Sequence, residues 1–175
     1  MIMNYLLLNQ ETERLRFRPV VQDDFDAWFP FFADKQILTY FGIDTALSEQ
    51  KLCENWFDKV FTRYKDNLGG MNAVILKSTG ELIGQCGLLI QTIQNKQRLE
   101  VGYSLLPKFR GLGYGTEMAL KCKEFAFENA LAAQLISMIH VENSASERVA
   151  IKNGMFLENT IDFEGMLYNI YTLDK

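Results

Sequence analysis

Three glycines beside an arginine are the residues of this sequence whose spacing most clearly suggests chemistry. In the segment LEVGYSLLPKFRGLGYGT (residues 99–116), a strand-like run leads to Arg110, and Gly111, Gly113 and Gly115 follow directly before a helical pattern. Glycines let backbone N–H groups approach a ligand, the start of a helix adds a positive dipole end, and the arginine supplies a fixed cation. Together these features predict a cradle for a diphosphate.

Two other glycine-rich cradles do not fit this spacing. A P-loop requires a lysine followed by Ser or Thr after its last glycine, whereas Gly115 is followed by Thr116 with no lysine between them. A dinucleotide-binding fingerprint has the spacing GxGxxG, and the spacing here is GxGxG. Isolated glycines would indicate only a strand-to-helix turn, but three of them beside an arginine favour a ligand site.

The elements that must position this cradle follow from the periodicity of apolar residues. Residues 14–18 alternate between arginines and apolar residues, which predicts a half-buried strand. A helical stretch is expected from Asp23, with aromatic residues at helical spacing: Phe25, Trp28, Phe29 and Phe32. A second helix is expected to begin at Ser48, whose hydroxyl can cap the first turn, and to end before Gly69.

The rest of the chain mixes strand-like runs with two helices. The strand-like runs cover residues 73–77, 82–90, 99–105, 135–141, 155–163 and 166–173. One helix follows the glycines, and a shorter helix is expected over residues 144–152. We therefore predict an α/β (α+β) fold in which a mixed, mostly antiparallel sheet of about seven strands is flanked by about four helices. A single domain spanning residues 1–175 is expected.

Composition argues against several other classes of protein. The net charge of −4 disfavours nucleic-acid binding, which requires a basic surface, and is compatible with a cationic substrate such as an amine. Eighteen consecutive apolar residues occur nowhere, so we expect no membrane span. Three scattered cysteines and a single histidine offer little for a metal site, and we expect free thiols in a reducing compartment, the cytoplasm.

Several motifs resemble one enzyme family. The pattern Arg110-x-x-Gly113-x-Gly115 matches the (Q/R)-x-x-G-x-(G/A) coenzyme A motif of the GCN5-related N-acetyltransferases (GNAT). The surrounding EVGYSLLPKFRGLGYGTE resembles the branch that contains the ribosomal-protein N-terminal acetyltransferases (RimJ/RimL-like). Further segments match that branch in the right order: residues 12–19, 82–84 and 143–154.

The resemblance implies how acetyl-coenzyme A would bind. In this family the sheet splays between its fourth and fifth strands, and the pantetheine arm of the co-substrate lies in the gap. By position, backbone groups of Leu105 and Leu106 would pair with pantetheine amides, and Asn143 and Ser146 would contact the co-substrate. The resemblance assigns the diphosphate to the N–H groups of one segment: Arg110, Gly111, Leu112, Gly113, Tyr114, Gly115 and Thr116. No metal is implied.

Acetyl transfer by direct attack requires a base for the amine and a proton for the departing thiolate. Glu100 lies on one face of the strand over 99–105 together with Gly102 and Ser104, a small and polar face suited to a cleft. The equivalent glutamate of relatives is proposed to act through water, so the resemblance implies that Glu100 is the base. The alternative is an ordinary solvated strand glutamate.

The resemblance leaves the proton donor less defined. Many relatives carry a tyrosine at the position of Ala150, so the usual phenol is missing here. In the RimJ/RimL-like branch a serine at the position of Ser146 has this role, and Ser146 is therefore our candidate. Tyr103 and Tyr168 are reserve donors, although both would be ordinary core or hairpin aromatics.

Helix capping offers a competing explanation for the polar residues in this region. Ser144 and Glu147 have the spacing of a capping box, and Asn143 could be a cap or turn residue. Serines cluster at helix starts for this reason alone. The same residues therefore carry both a structural and a catalytic interpretation.

The sequence thus predicts an N-acetyltransferase that moves an acetyl group from acetyl-coenzyme A to a primary amine in a ternary complex. The amine would be a peptide N-terminus or a small molecule, and a homodimer is compatible with the sequence. The alternatives are an acyl-coenzyme A sensor without turnover and a plain nucleotide binder. The aromatic residues over 28–32, with Tyr40 and Phe41, could line an acceptor pocket, but the core is favoured for them.

Overall fold

The computed structural model describes residues 5–175, and a seven-stranded sheet with the order β1-β2-β3-β4-β5-β7-β6 dominates that part of the chain. Its strands are β1 (Leu15–Pro19), β2 (Gly69–Leu76), β3 (Leu82–Ile93), β4 (Lys96–Leu105), β5 (Gln134–His140), β6 (Phe156–Phe163) and β7 (Met166–Asp174). Strands β1 to β4 form an antiparallel meander, and β5, β7 and β6 form a second antiparallel group. The predicted mixed, mostly antiparallel sheet is confirmed.

Five α-helices flank the sheet within the described residues: α1 (Phe25–Trp28), α2 (Lys35–Tyr40), α3 (Glu49–Lys65), α4 (Tyr114–Glu128) and α5 (Ser144–Lys152). Ser48 caps α3 as predicted, because its hydroxyl accepts a 3.2 Å hydrogen bond from the Lys51 N–H. None of these helices is long and apolar enough to cross a bilayer.

The predicted first helix is wrong in its extent. The stretch expected from Asp23 to Phe32 is divided into a 3₁₀ segment, Gln22–Asp24, the short helix α1 and a second 3₁₀ segment, Phe29–Ala33. Pro30 lies in the first turn of that segment, where the missing backbone N–H costs least. Because proline cannot donate the hydrogen bond of a helix interior, α1 cannot continue through it. Helix α2 follows, with Asp34 as its N-cap, whose carboxylate accepts from the Ile37 N–H at 3.2 Å. The sequence patterns had not predicted this helix.

The β3–β4 hairpin is longer than the runs 82–90 and 99–105 had suggested. Its register continues to the pair Ile93–Lys96, and Gln94 and Asn95 form the turn with positive φ angles of 48° and 63°. Two-residue hairpin turns favour this left-handed backbone. The extension carries Gln91 into the sheet, opposite Arg98.

The two halves of the sheet meet at a short seam. Strands β4 and β5 run parallel and share only the pairs Leu99–Leu135 and Glu100–Ile136, after which they separate. The splay predicted between the fourth and fifth strands is therefore confirmed, and it begins at Glu100. Parting strands leave unpaired backbone groups on both sides of a gap, which a ligand can use.

Apolar side chains fill both faces of the sheet. Trp28, Phe31 and Phe32 are buried, and the Trp28 ring stacks on Phe31 with 4.7 Å between centroids. The core role predicted for the aromatic residues over 28–32 holds for these three. On the other face, α4 packs four residues against the sheet: Met118, Ala119, Cys122 and Ala126.

Candidate functional site

The glycine-rich turn forms a loop with free backbone donors at the start of α4. Gly113 occupies the N-cap position with φ +83°, and no side chain caps the helix there. Gly111 also has a positive φ, +76°, and a Cβ built on it would meet no atom within 4 Å. The first N–H groups of a helix lack partners within it, so this loop and the positive end of α4 suit an anion.

Arg110 lies beside this loop, but its charge is not free. Its Nε donates to the Leu105 carbonyl at 3.1 Å, and its Nη1 forms an ion pair with the Asp34 carboxylate. Burial tends to raise the pKa of Asp34, but the guanidinium and the Ile37 N–H lower it on balance. Among the described residues, the buried Nη2 of Arg110 has no partner. Arg110 therefore anchors helix α2 to the loop and keeps one donor for a ligand.

A second arginine, directly before β1, braces the same loop. Arg14 contacts the Glu117 carboxylate through Nε at 2.7 Å and through Nη2 at 2.6 Å, and its Nη1 donates to the Leu112 carbonyl at 3.1 Å. Its guanidinium also lies 4.3 Å from the centre of the Tyr114 ring. No role at the site was predicted for Arg14, although it belongs to the segment 12–19 that resembles the family.

A cavity of about 270 Å³ extends from this loop toward the sheet. Most of the predicted coenzyme A ligands line it: Leu105, Arg110, Gly111, Gly113, Gly115, Thr116, Asn143 and Ser146. Leu112 is exposed, and Tyr114 packs under Arg14. The exposed side chains of Arg148 and Lys152 add positive charge to the cavity wall.

Only part of the expected pantetheine contact is open at the end of β4. The Leu106 N–H donates to the Ile83 carbonyl at 2.9 Å, and the Leu106 carbonyl accepts from the Phe109 N–H at 3.0 Å, so its backbone is already engaged. Leu105 is opposite Gly84 at the neighbouring, non-hydrogen-bonded position of the ladder. The Leu105 N–H therefore faces away from β3, toward the gap, where a pantetheine carbonyl could accept from it.

A larger cavity of about 480 Å³ lies on the other side of the splayed strands. Helix α3, strands β2 to β5, the segment 40–47 and the β6–β7 hairpin all contribute to its wall. Tyr40 and Phe41 line it, so these two aromatic residues are not simply core. The two cavities share four lining residues: Phe41, Tyr103, Asn143 and Ser146. Molecules bound in the two cavities would thus meet at this junction.

Glu100 lines the larger cavity and is only 8% exposed, which contradicts the alternative of a solvated strand glutamate. Its Oε2 accepts a 2.6 Å hydrogen bond from Gln91 Nε2, and its Oε1 accepts from the Met138 N–H at 3.3 Å. Arg63 in turn donates to Gln91 Oε1 at 3.1 Å. Burial raises the pKa of Glu100, and these two hydrogen bonds and the charge of Arg63 only partly offset it.

The first turn of α5 places Ser146 at the junction of the cavities. Asn143 is the N-cap, and its side-chain oxygen accepts from the Ser146 N–H at 3.2 Å. The capping box expected from Ser144 and Glu147 does not form, because Ser144 is already inside the helix and Glu147 accepts from the Tyr171 hydroxyl. Asn143 thus has the structural role that the sequence left open, and it also lines both cavities.

The two reserve tyrosines differ in their positions. The Tyr103 hydroxyl donates to the Ser146 carbonyl at 2.8 Å and lies at the junction, whereas Tyr168 lines only the larger cavity and donates to the Tyr40 carbonyl at 3.2 Å. Burial raises the pKa of both phenols. Only Tyr103 among them reaches the place where the two cavities meet.

Comparison with known proteins identifies the family. The sequence model described as the acetyltransferase (GNAT) domain matches residues 14–156. The chain belongs to the GNAT acetyltransferase family. Uncharacterised protein YkkB of Bacillus subtilis is 31% identical to this GNAT chain over 153 residues, which cover 86% of each protein.

Solved structures have the same fold as this GNAT chain. The crystal structure of an acetyltransferase from Agrobacterium tumefaciens superimposes with a TM-score of 0.78 at 26% identity and covers 95% of this chain and 94% of that one. RimL, a ribosomal L7/L12 alpha-N-protein acetyltransferase solved in complex with coenzyme A, gives a TM-score of 0.75 at 16% identity, covering 95% and 97%.

Membership of the GNAT family makes this protein an N-acetyltransferase whose acetyl donor is acetyl-coenzyme A. The glycine loop and the unpaired Arg110 Nη2 fit the diphosphate of that donor. A sensor without turnover is not favoured. Among residues 5–175, no group of three or more His, Cys, Asp or Glu side chains is arranged to hold a metal ion.

Proposed function

We propose that the protein transfers the acetyl group of acetyl-coenzyme A, bound in the smaller cavity, to a primary amine bound in the larger one. The observation that supports this assignment is the junction of the two cavities at Phe41, Tyr103, Asn143 and Ser146. A thioester and an amine that approach from opposite sides would meet there while both are bound, so neither has to leave before the other enters. Direct attack in a ternary complex follows from this arrangement.

Glu100 is the proposed base. Its buried carboxylate faces the acceptor cavity, and burial brings its pKa closer to neutral pH, where a base is most effective. The amine nitrogen attacks the thioester carbon and gives up one proton to Glu100 through water. The carbon–sulfur bond of the resulting tetrahedral intermediate then breaks, and the departing sulfur takes a proton from the Ser146 hydroxyl, which lies at the junction. The proton held by Glu100 passes through water to Ser146, so that both side chains regain their starting forms.

A pair of variants separates catalysis by Glu100 from its structural role. In Glu100→Gln, the introduced amide can accept from the Met138 N–H only by turning its NH₂ group toward the NH₂ group of Gln91, which Arg63 holds in place. We therefore expect loss of both activity and stability. Adding Gln91→Glu places a carboxylate oxygen opposite the NH₂ group of the introduced Gln at position 100. The second carboxylate oxygen still accepts from Arg63. The double variant should regain its melting temperature but not its turnover; full turnover of the single variant Glu100→Gln would exclude Glu100 as the base.

Ser146→Ala and Tyr103→Phe distinguish the two candidate proton donors. If Ser146 protonates the sulfur, Ser146→Ala should lower kcat by about 100-fold with the KM for acetyl-coenzyme A little changed. In that case Tyr103→Phe removes only the hydrogen bond to the Ser146 carbonyl, and we expect kcat to fall by less than about tenfold. The reverse order of the two losses would assign the donor role to Tyr103.

The remaining assignments concern the cellular setting. We propose that residues 1–175 act as one domain and that the protein works in the cytoplasm, because its three cysteines are unpaired, buried thiols, as a reducing compartment maintains them. We also propose that no nucleic acid takes part, given the net charge of −4. Sedimentation of the pure protein with and without acetyl-coenzyme A would test for a homodimer.

A further inference from the structure

We propose that the acceptor is a small primary amine with an apolar body that the larger cavity encloses, and not the N-terminus of a protein. This inference rests on the proposed function, since it takes the larger cavity as the acceptor site. It is carried by the size, the lining and the closure of that cavity.

The volume and lining of the cavity suit a small molecule. Its volume of about 480 Å³ falls within the range of roughly 300–1,000 Å³ typical of small-molecule sites. Apolar side chains reach it from every wall: Ile43, Leu52, Val60, Leu89, Met138 and Phe163. Such a wall stabilises an apolar body through its removal from water.

Contacts between two bordering elements close the cavity on one side. The Tyr168 hydroxyl of the β6–β7 hairpin donates to the Tyr40 carbonyl at 3.2 Å, and the Tyr40 ring stacks on His140 with 5.1 Å between centroids. A Cβ built on Gly42 would lie 2.7 Å from Met166 Cε, so these two residues are already in close contact. An extended polypeptide would require this bridge to open, whereas a small amine can be held beneath it.

Around Glu100, the polar groups of the cavity wall already have partners within the protein. Glu100 takes the Met138 N–H, the Ser137 hydroxyl donates to the Val101 carbonyl at 2.9 Å, and Gln91 lies between Arg63 and Glu100. The other Arg63 donor, Nη1, contacts the carbonyls of Leu68 and Ile90. A peptide chain would need several backbone partners here, because buried amides without partners are costly. An amine with a hydrocarbon body requires only one polar contact, at its nitrogen.

An amine panel tests the acceptor class directly. We would measure kcat/KM by release of the coenzyme A thiol with 2-phenylethylamine and tryptamine, with ethanolamine and 1,4-diaminobutane as polar amines, and with six-residue peptides that differ in the first residue. The apolar amines should exceed the polar amines and every peptide by at least about tenfold. Faster turnover of any peptide would overturn the inference and leave the proposed function intact. If no amine of any kind releases thiol, the proposed function itself fails.

A cavity-filling variant tests where the apolar body lies. Val60→Phe adds bulk to the α3 wall, and we expect kcat/KM for 2-phenylethylamine to fall by about tenfold while the KM for acetyl-coenzyme A is unchanged. Leu120→Phe places the same aromatic side chain at an exposed position of α4 outside the cavity and should change neither value. Ile43→Trp, at a half-buried position of the wall, serves if Val60→Phe does not fold. Full activity of a folded wall variant toward 2-phenylethylamine would place the acceptor elsewhere.

Discussion

Gln91 donates a 2.6 Å hydrogen bond to the carboxylate of Glu100, and the orientation of its amide is set by Arg63, which donates to the opposite end at 3.1 Å. A donor that cannot turn away stabilises the charged form of the carboxylate. Glu100, the proposed base, is therefore held in place by helix α3, strand β3 and strand β5 at the same time.

Gln91→Leu removes this donor and should shift the pH dependence of the reaction. The activity of a base is lost as pH falls through its pKa, and burial already raises the pKa of Glu100. Without the hydrogen bond from Gln91 the pKa rises further, so the acid limb of the kcat/KM profile should move to higher pH. A purely structural role of Gln91 would lower the rate at every pH without this shift. The kcat/KM profiles of Gln91→Leu and of the unchanged protein, measured over the same pH range, distinguish the electrostatic role from the structural one.

Gly111→Ala should weaken binding of acetyl-coenzyme A. Gly111 and Gly80 share a φ of +76°, and a Cβ on either meets no protein atom within 4 Å, so alanine imposes the same backbone cost of about 1 kcal/mol at both positions. Only Gly111 lines the smaller cavity. We expect Gly111→Ala to raise the KM for acetyl-coenzyme A by about tenfold, or roughly 1.4 kcal/mol of binding. Gly80→Ala, in the β2–β3 turn, is the matched control. If Gly111→Ala and Gly80→Ala have equal KM values for acetyl-coenzyme A, the glycine-rich loop does not bind it.

Arg14→Ala should loosen the loop that precedes α4. The variant loses the contacts to Glu117 and to the Leu112 carbonyl, and because Arg14 is partly exposed we expect a stability loss of only about 1 kcal/mol. The KM for acetyl-coenzyme A should rise as well, since the loop is no longer held. Arg16→Ala, two residues further on and within β1, breaks an exposed pair with Glu11 and should leave KM unchanged. Calorimetric titration of coenzyme A into both variants gives the comparison.

The three cysteines should be unreactive in the folded protein. Cys53, Cys86 and Cys122 are buried, and burial raises the pKa of Cys53 to about 12 and that of Cys86 well above its ordinary value. Since the thiolate is the reactive form, a disulfide reagent such as DTNB should modify none of them in the native state and all three in denaturant. Fast native reaction at any cysteine would contradict this burial.

Local patterns predicted most of the sheet and the cradle, because both are encoded by neighbouring residues. The alternation in β1 and β4, the strand-like runs of β2 and β3 and the three glycines before α4 required no long-range information. The longer hairpin was missed because Gln94 and Asn95 form its turn without a glycine or proline. The first helix breaks because of Pro30, whereas the spacing of the aromatic residues alone predicts an unbroken helix.

Several site contacts could not be predicted because they join distant parts of the chain. Asp34 and Arg110 are 76 residues apart, and the ion pair between them depends on how α2 packs on the loop. Gln91 contacts Glu100 only because the β3–β4 hairpin brings the two strands side by side. The spacing of these two residues in the sequence does not predict their contact. The burial of Glu100 likewise follows from packing across the splayed strands, which is why a solvated carboxylate was an open alternative.

The short seam between β4 and β5 has a consequence for how the enzyme fails. Two register pairs join the halves of the sheet, and the next free amide of β5, that of Met138, is held by Glu100 itself. Detachment of the C-terminal strands would therefore remove one of the two hydrogen-bond donors of Glu100, the proposed base, before either half lost its own ladder of hydrogen bonds. Turnover should disappear at a lower denaturant concentration than the circular dichroism of the sheet, so that inactivation precedes unfolding.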